Sequence, residues 1–141
     1  MLFDITEELL HKLQVVQNNA ARLVMRIRKR DHITPILQDL HWLPIRARIE
    51  FKVLTLVHKC LNGSAPAYLS ELLKLYSPAR SLRSETKDLL IEPRFKNSKF
   101  GGRAFSVNAP RLWNTLNSDI RNNTYPTFRR QIKTELFRKY Y

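Results

Sequence analysis

The chain has 141 residues, 43% of them apolar and 10% aromatic, which is enough to bury the core of one ordinary domain. Lys and Arg number 25 against 12 acids, a formal charge of +13 that excludes a neutral surface and points to a polyanionic partner. A single cysteine, Cys60, excludes an internal disulfide, and the longest uncharged run, the 11 residues Cys60 to Ser70, is interrupted by Gly63 and Pro66, so no spanning helix is expected.

In chain order, Asp4 and Glu7 form a capping pair ahead of Leu9, Leu13, Val16, Ala20, Leu23 and Ile27, which alternate at spacings of four and three. This predicts an amphipathic helix over about 5–29 whose narrow stripe docks on the rest of the fold rather than forming a free coiled coil. Thr34 before Pro35 predicts a short helix over about 35–40, broken by His41-Trp42-Leu43-Pro44. Ile45, Ile49, Val53, Leu56, Val57 and Cys60 then mark a largely buried third helix, stopped in a left-handed turn at Asn62-Gly63. Pro66 opens a further helix with Leu69, Leu72, Leu73 and Tyr76 on one face, ending at Ser77-Pro78.

Beyond Tyr76 the composition turns polar and basic. Asp88 to Ile91 reads as one short strand that Arg94 to Phe100 can pair with, and Gly101-Gly102 as a turn. Pro110 can start a helix over 110–116, and a last helix from about Pro126 should bury Phe128, Ile132, Leu136 and Phe137. The expected fold is mainly α, five or six helices in an irregular bundle within one domain over 1–141. Its parts are a helical stretch 1–76, a basic irregular or short β segment over 77–107 (β near 88–107), and C-terminal helices over 108–141.

The charge is unevenly placed. Residues 1–21 hold one Lys and three acids, whereas 22–52 hold eight Lys or Arg against three acids. Arg22, Arg26, Arg28, Lys29 and Arg30 should continue toward Arg46, Arg48 and Lys52 as one phosphate-binding face, arginine being suited by its planar fork. A second cluster contains Arg80, Arg83, Lys87, Arg94, Lys96, Lys99 and Arg103, interleaved with Phe95, Phe100 and Phe105, which read either as core or as base-stacking residues. Arg129, Arg130, Lys133, Arg138 and Lys139 decorate the last helix; for each cluster a plain solvated face is the competing reading.

Motifs for chemistry are missing. Glu7 and Glu8 are adjacent acids that diverge around a helix and suit its N-terminus electrostatically, so they read as structural. His11, His32, His41 and His58 show neither HExxH nor finger spacing, and no GKS or GKT follows Gly101-Gly102. His58 and Cys60 turn away from each other, leaving a buried thiol; His41 beside Trp42 reads as a core or interface residue. The expectation is no enzyme, no metal, no cofactor and no small-molecule substrate. RNA or DNA is expected to be held through phosphate contacts, with no membrane and in an intracellular setting compatible with nucleus or cytoplasm.

Several segments carry a resemblance. Leu13-Gln14-Val15-Val16-Gln17-Asn18 running into Ala20-Ala21-Arg22-Leu23, then Asp31-His32-Ile33-Thr34-Pro35 and Leu40-His41-Trp42-Leu43-Pro44 with Arg48-Ile49, stand in one order. Ala65-Pro66-Ala67-Tyr68-Leu69, Arg80-Ser81-Leu82-Arg83-Ser84, Arg103-Ala104-Phe105-Ser106-Val107 and Ala109-Pro110-Arg111-Leu112-Trp113-Asn114 follow. Together, over about Leu13 to Phe137, they resemble the region downstream of the palm in LINE-type, non-long-terminal-repeat retrotransposon reverse transcriptases, in particular the jockey-like and chicken-repeat-like clades. Asn117 departs from the Leu-Pro that usually follows the Trp-Asn segment, which touches only the local turn. The resemblance implies thumb-like helices and the tail behind them, which guide template and primer. It carries over no catalytic residue, because the family's paired aspartates lie in the palm. The implied function is a non-catalytic, basic nucleic-acid-binding fragment of such an enzyme. The alternative is a protein-interaction module docking through the first helix and Trp42 or Trp113.

Overall fold

A computed structural model describes residues 5–77, 88–94 and 104–141. Among these residues the chain is helical: α1 (Glu7–Met25), α2 (Ile33–Asp39), α3 (Ile45–Leu61), α4 (Ala67–Ser70), α5 (Phe105–Asn114), α6 (Ser118–Arg121) and α7 (Tyr125–Tyr140). The expected mainly α, irregular bundle is the fold. Asp4, Arg80, Arg83, Lys87, Phe95, Lys96, Lys99, Phe100, Gly101, Gly102 and Arg103 lie outside the described residues, and with them the expectations that rest on them.

Three helices end in the same way. After α1, α2 and α3 the chain turns left-handed at Arg26 (φ 50°), His41 (φ 52°) and Gly63 (φ 66°). In each case the next residue's N–H reaches back to the last turn: Ile27 to the Arg22 carbonyl at 3.1 Å, Trp42 to Leu37 at 2.8 Å, Ser64 to Lys59 at 2.9 Å. This is the Schellman closure, which satisfies carbonyls that a helix end leaves bare. Gly63 was expected; Arg26 is not glycine, and it stops α1 at Met25 rather than near residue 29. At the other end Thr6, not the expected Asp4, is the cap, its hydroxyl accepting from the Leu9 N–H at 3.4 Å.

α2 begins at Ile33, ahead of the expected Thr34 cap, with Pro35 in its first turn where a missing N–H costs nothing. The helix from Pro66 is shorter than expected: α4 stops at Ser70, leaving Leu72 and Tyr76 exposed. The chain leaves the helix because it pairs elsewhere, Leu75 bridging Leu90 in antiparallel sense. Tyr76 donates to the Leu89 carbonyl and Ile91 to the Lys74 carbonyl, each at 2.8 Å. The expected strand at 88–91 therefore pairs with 74–76 through an isolated bridge. Pro110 sits inside α5 rather than starting it.

Two apolar clusters hold the helices. In the larger, Val53, Leu54 and Val57 of α3 meet Ala109 and Trp113 of α5 and Phe128, Ile132 and Leu136 of α7, all buried. Trp113 is 1% exposed and donates its indole N–H to the Asp88 carbonyl at 2.7 Å. Asn114 clasps Leu90 from both sides, its amide nitrogen giving to the carbonyl at 2.9 Å and its oxygen taking the N–H at 3.0 Å. The smaller cluster is Ala21, Ile36 and Leu37, with Ile27, Ile33, Leu40, Trp42 and Tyr141 packed around it.

α1 docks against expectation. Its apolar stripe faces outward: Leu9, Leu13, Val16 and Leu23 are 51%, 37%, 66% and 81% exposed. The inward face is Gln14, Gln17, Asn18 and Ala21 instead. Gln17 donates to the Leu43 carbonyl at 2.8 Å, and Gln14 accepts from the Ile45 N–H at 2.9 Å, supplying one of the partners that the start of α3 lacks. Hydrogen bonds at the α3 start, more than apolar burial, set which side of α1 turns inward.

Candidate nucleic-acid interface

The expected continuous basic face is divided by α1 itself. Arg46 pairs with Glu7 at the start of α1, while Arg26 to Arg30 follow its end. Nineteen residues of helix separate the two places by about 27 Å, at 1.5 Å per residue. The two halves of the expected site are not brought together.

At the far end, Arg26, Arg28, Lys29 and Arg30 are all exposed on a short turn. Asp31 folds that turn by accepting from the Arg28 N–H at 2.9 Å. Arg22 differs from its neighbours: it is half-buried and its guanidinium donates to the Asp31 carbonyl at 3.1 Å. It fastens the turn to α1 and has less freedom to meet a phosphate.

A second basic surface is assembled by α3 and α7. Arg48, Lys52 and Lys59 recur at intervals of four and seven, so they lie within about 40° of one another around α3. Glu50 of α3 meets Lys139 at 3.0 Å and Tyr140 at 2.7 Å, which sets α3 and α7 antiparallel and brings Lys59 to the start of α7. There the Lys59 ammonium lies 5.1 Å and the Arg129 guanidinium 5.7 Å from the centre of the Tyr125 ring. Cations within about 6 Å of an aromatic face are held by its quadrupole. Arg130 and Lys133 continue along α7, exposed and with no ion pair to any described residue. Arg138 and Lys139, by contrast, are engaged by Glu135 and Glu50.

The acids and histidines take structural positions. Glu8 pairs with Lys12 at 2.6 Å and Glu7 with Arg46, whose guanidinium holds its proton more tightly still through that hydrogen bond. His58 is buried among Trp113, Tyr125 and Phe128, bonded at Nε2 to the Asn123 carbonyl (2.9 Å) and at Nδ1 to the Asn62 amide (3.2 Å). Burial pushes the Cys60 thiol up, away from the thiolate that would make it reactive. Among the described residues no three His, Cys, Asp or Glu side chains gather to hold a metal ion, and no helix is long and apolar enough to cross a membrane.

Trp113 lies at the centre of the core, so the expectation that it offers a docking surface is corrected; Trp42 is half-buried in the smaller cluster. Phe105 packs on the main core, as the plainer reading of that phenylalanine had it. His41 is exposed and stacks on Phe137 at 6.0 Å between ring centres. Arg121 is buried and its Nε and Nη1 have no partner among the described residues. It lines a cavity of about 230 Å³ with Asp88, Asn62 and Asn123, a mixture of donors and acceptors. Lys59 and Tyr125 were not expected in the site; the interval from Arg48 through Lys52 to Lys59 was the available signal for the first.

No family model, no curated protein and no solved structure matches the chain.

Proposed function

We propose that this chain is a basic, non-catalytic nucleic-acid-binding fragment of a LINE-type retrotransposon reverse transcriptase, contacting RNA or DNA through phosphates. The observation that carries the reading is the pair of cations around Tyr125, Lys59 and Arg129, continued by Arg130 and Lys133 on one side and by Lys52 and Arg48 on the other. Holding Lys59 and Arg129 on a tyrosine ring lowers the entropy lost when they grip a phosphate. The turn bearing Arg26, Arg28, Lys29 and Arg30 is a second contact region, separate from the first. The ordered segment resemblances are what supports the retrotransposon origin, and no residue of the chain is assigned a catalytic role.

Fluorescence anisotropy on single-stranded RNA, an RNA–DNA hybrid and duplex DNA across a salt series tests this. Binding should weaken steeply with salt, and replacing Lys59, Arg129 and Lys133 by Ala should shallow the log–log slope by about 0.7–0.9 per lost phosphate contact. Absence of binding even at low salt refutes the proposal. Loss of binding with an unchanged slope on the same substitutions shows that these cations do not touch phosphate.

A further inference from the structure

Arg121 is a charge that folding buries and then leaves unanswered. It is the last residue of α6, only 6% exposed, and its Nε and Nη1 are buried with no partner among the described residues. A guanidinium keeps its proton at any ordinary pH, so it cannot escape the cost of burial by becoming neutral. Leaving a buried ionic donor without an acceptor costs more than leaving a neutral one. The carbonyls around it are already engaged: Asn123 donates to that of Asp119 at 2.6 Å, Trp113 to that of Asp88 at 2.7 Å, and His58 bonds that of Asn123 at 2.9 Å.

Space for an acceptor lies beside it. The cavity that Arg121 lines with Asn122 and Trp113 measures about 230 Å³, more than the roughly 150 Å³ that admits a benzene ring. On its wall the Asn62 amide nitrogen is spent on His58, and that of Asn123 on Asp119 and Gln131. Arg121 and Asn122 are the side chains left to donate. Water can accept from them but brings no charge, whereas an oxyanion brings acceptor and countercharge together. A carboxylate has two oxygens and one charge. A phosphate monoester carries roughly two charges near pH 7 and three acceptor oxygens, enough for the arginine fork and the Asn122 amide at once. The net charge of +13 favours the more highly charged ligand, while Asp88, exposed on the same wall, opposes it and lowers the affinity.

We propose that this cavity is a phosphate-binding site, in which the Arg121 fork and the Asn122 amide hold a phosphate monoester group, either free in solution or at the end of a nucleic-acid strand. The site shares no residue with the surfaces assigned above to backbone phosphates, so either can fail without the other.

Nitrogen-15 NMR of the whole chain reads the site directly. The Arg121 Nε–H signal, identified by its loss in Arg121→Lys, should move saturably with inorganic phosphate and stay in place with chloride at equal ionic strength. Arg121→Met removes the buried charge at little change of volume, so in chloride it should melt no lower than the parent chain. Phosphate stabilises folded chains in general, but it should raise the parent's melting temperature more than the variant's and bind the variant about tenfold or more weakly by calorimetry. Asp88→Asn tolerates the left-handed backbone at that position (φ 68°) and keeps the carbonyl that Trp113 meets, and it should tighten phosphate binding. Greater loss of affinity in Arg121→Met for a 5′-phosphorylated oligonucleotide than for its 5′-hydroxyl twin assigns the site to strand ends; equal loss for the two leaves it to free phosphate. An Nε–H signal indifferent to phosphate, equal phosphate binding by parent and Arg121→Met, or an Arg121→Met chain that melts lower in chloride overturns the proposal, as does weaker phosphate binding by Asp88→Asn.

Discussion

The α3–α5–α7 body and the α1–α2 arm are both helical, yet they cohere by opposite means. In the body, Trp113, Phe128, Ile132, Val53 and Val57 are shut away from water, and the polar groups among them serve the packing. In the arm the core is Ala21, Ile36 and Leu37, and α1 is oriented by the amides of Gln14 and Gln17 with its best apolar residues turned outward. Apolar burial is non-directional and grows with area, whereas a hydrogen bond fixes geometry at a net gain of about 1 kcal/mol. The body is thus held mainly by buried area, and the arm is aimed by directed hydrogen bonds.

The largest expected effect breaks the body. Trp113→Ala removes the largest of the fully buried side chains and the donor to Asp88, and should cost about 3–5 kcal/mol, a large share of a domain's total. Denaturant unfolding followed by far-ultraviolet circular dichroism should show the whole transition shifted or lost. A smaller effect loosens the arm. Gln17→Ala strips the Leu43 carbonyl of its donor but also removes a buried amide oxygen that has no partner among the described residues, so the net loss should be about 1 kcal/mol. Amide exchange should quicken in α1 and α2 and stay slow in α3 and α7; uniform quickening would show that the two regions unfold as one.

The seam between α3 and the end of α7 adds a pH-dependent contribution. Burial first, then the hydrogen bond to Glu50, raises the Tyr140 phenol above its ordinary value near 10. A group whose folded pKa is raised gives stability that is fully present below the unfolded pKa and is lost as pH rises from there through the folded one. Tyr140→Phe should therefore cost about 1–2 kcal/mol at neutral pH, and the difference from the parent chain should shrink above about pH 10. A constant difference across that range would show that the Tyr140 phenol does not contribute in this way.

What could be read in advance follows the same division. Gly63 announced the end of α3 because glycine enters the left-handed region freely, whereas Arg26 and His41 make the same turn with no such sign. Helix existence was legible from the apolar period of α1; its docking face was not, because glutamines at 14 and 17 carry no mark that they meet Ile45 and Leu43 rather than water. The basic clusters were read by neighbourhood along the chain. Chain neighbours stay together in the turn after α1, but the grouping of Lys59 with Arg129 depends on α3 and α7 running antiparallel, which Glu50, Lys139 and Tyr140 establish only in three dimensions.

The smallest expected effect sharpens the comparison most. Valine stands in both regions: Val16 is 66% exposed on the arm, and Val57 is fully buried in the body. The same change, Val→Ser, alters the same atoms in each. At Val57 it strands a hydroxyl in an apolar core and leaves space behind, and should cost about 2 kcal/mol or more. At Val16 the hydroxyl meets water, so the change should stay within about 0.5 kcal/mol in either direction, set mostly by helix propensity. Equal losses would mean that the stripe is covered within the domain itself. A loss confined to Val57 leaves the arm's apolar face as surface that folding does not need, because none of its burial is then part of the domain's stability.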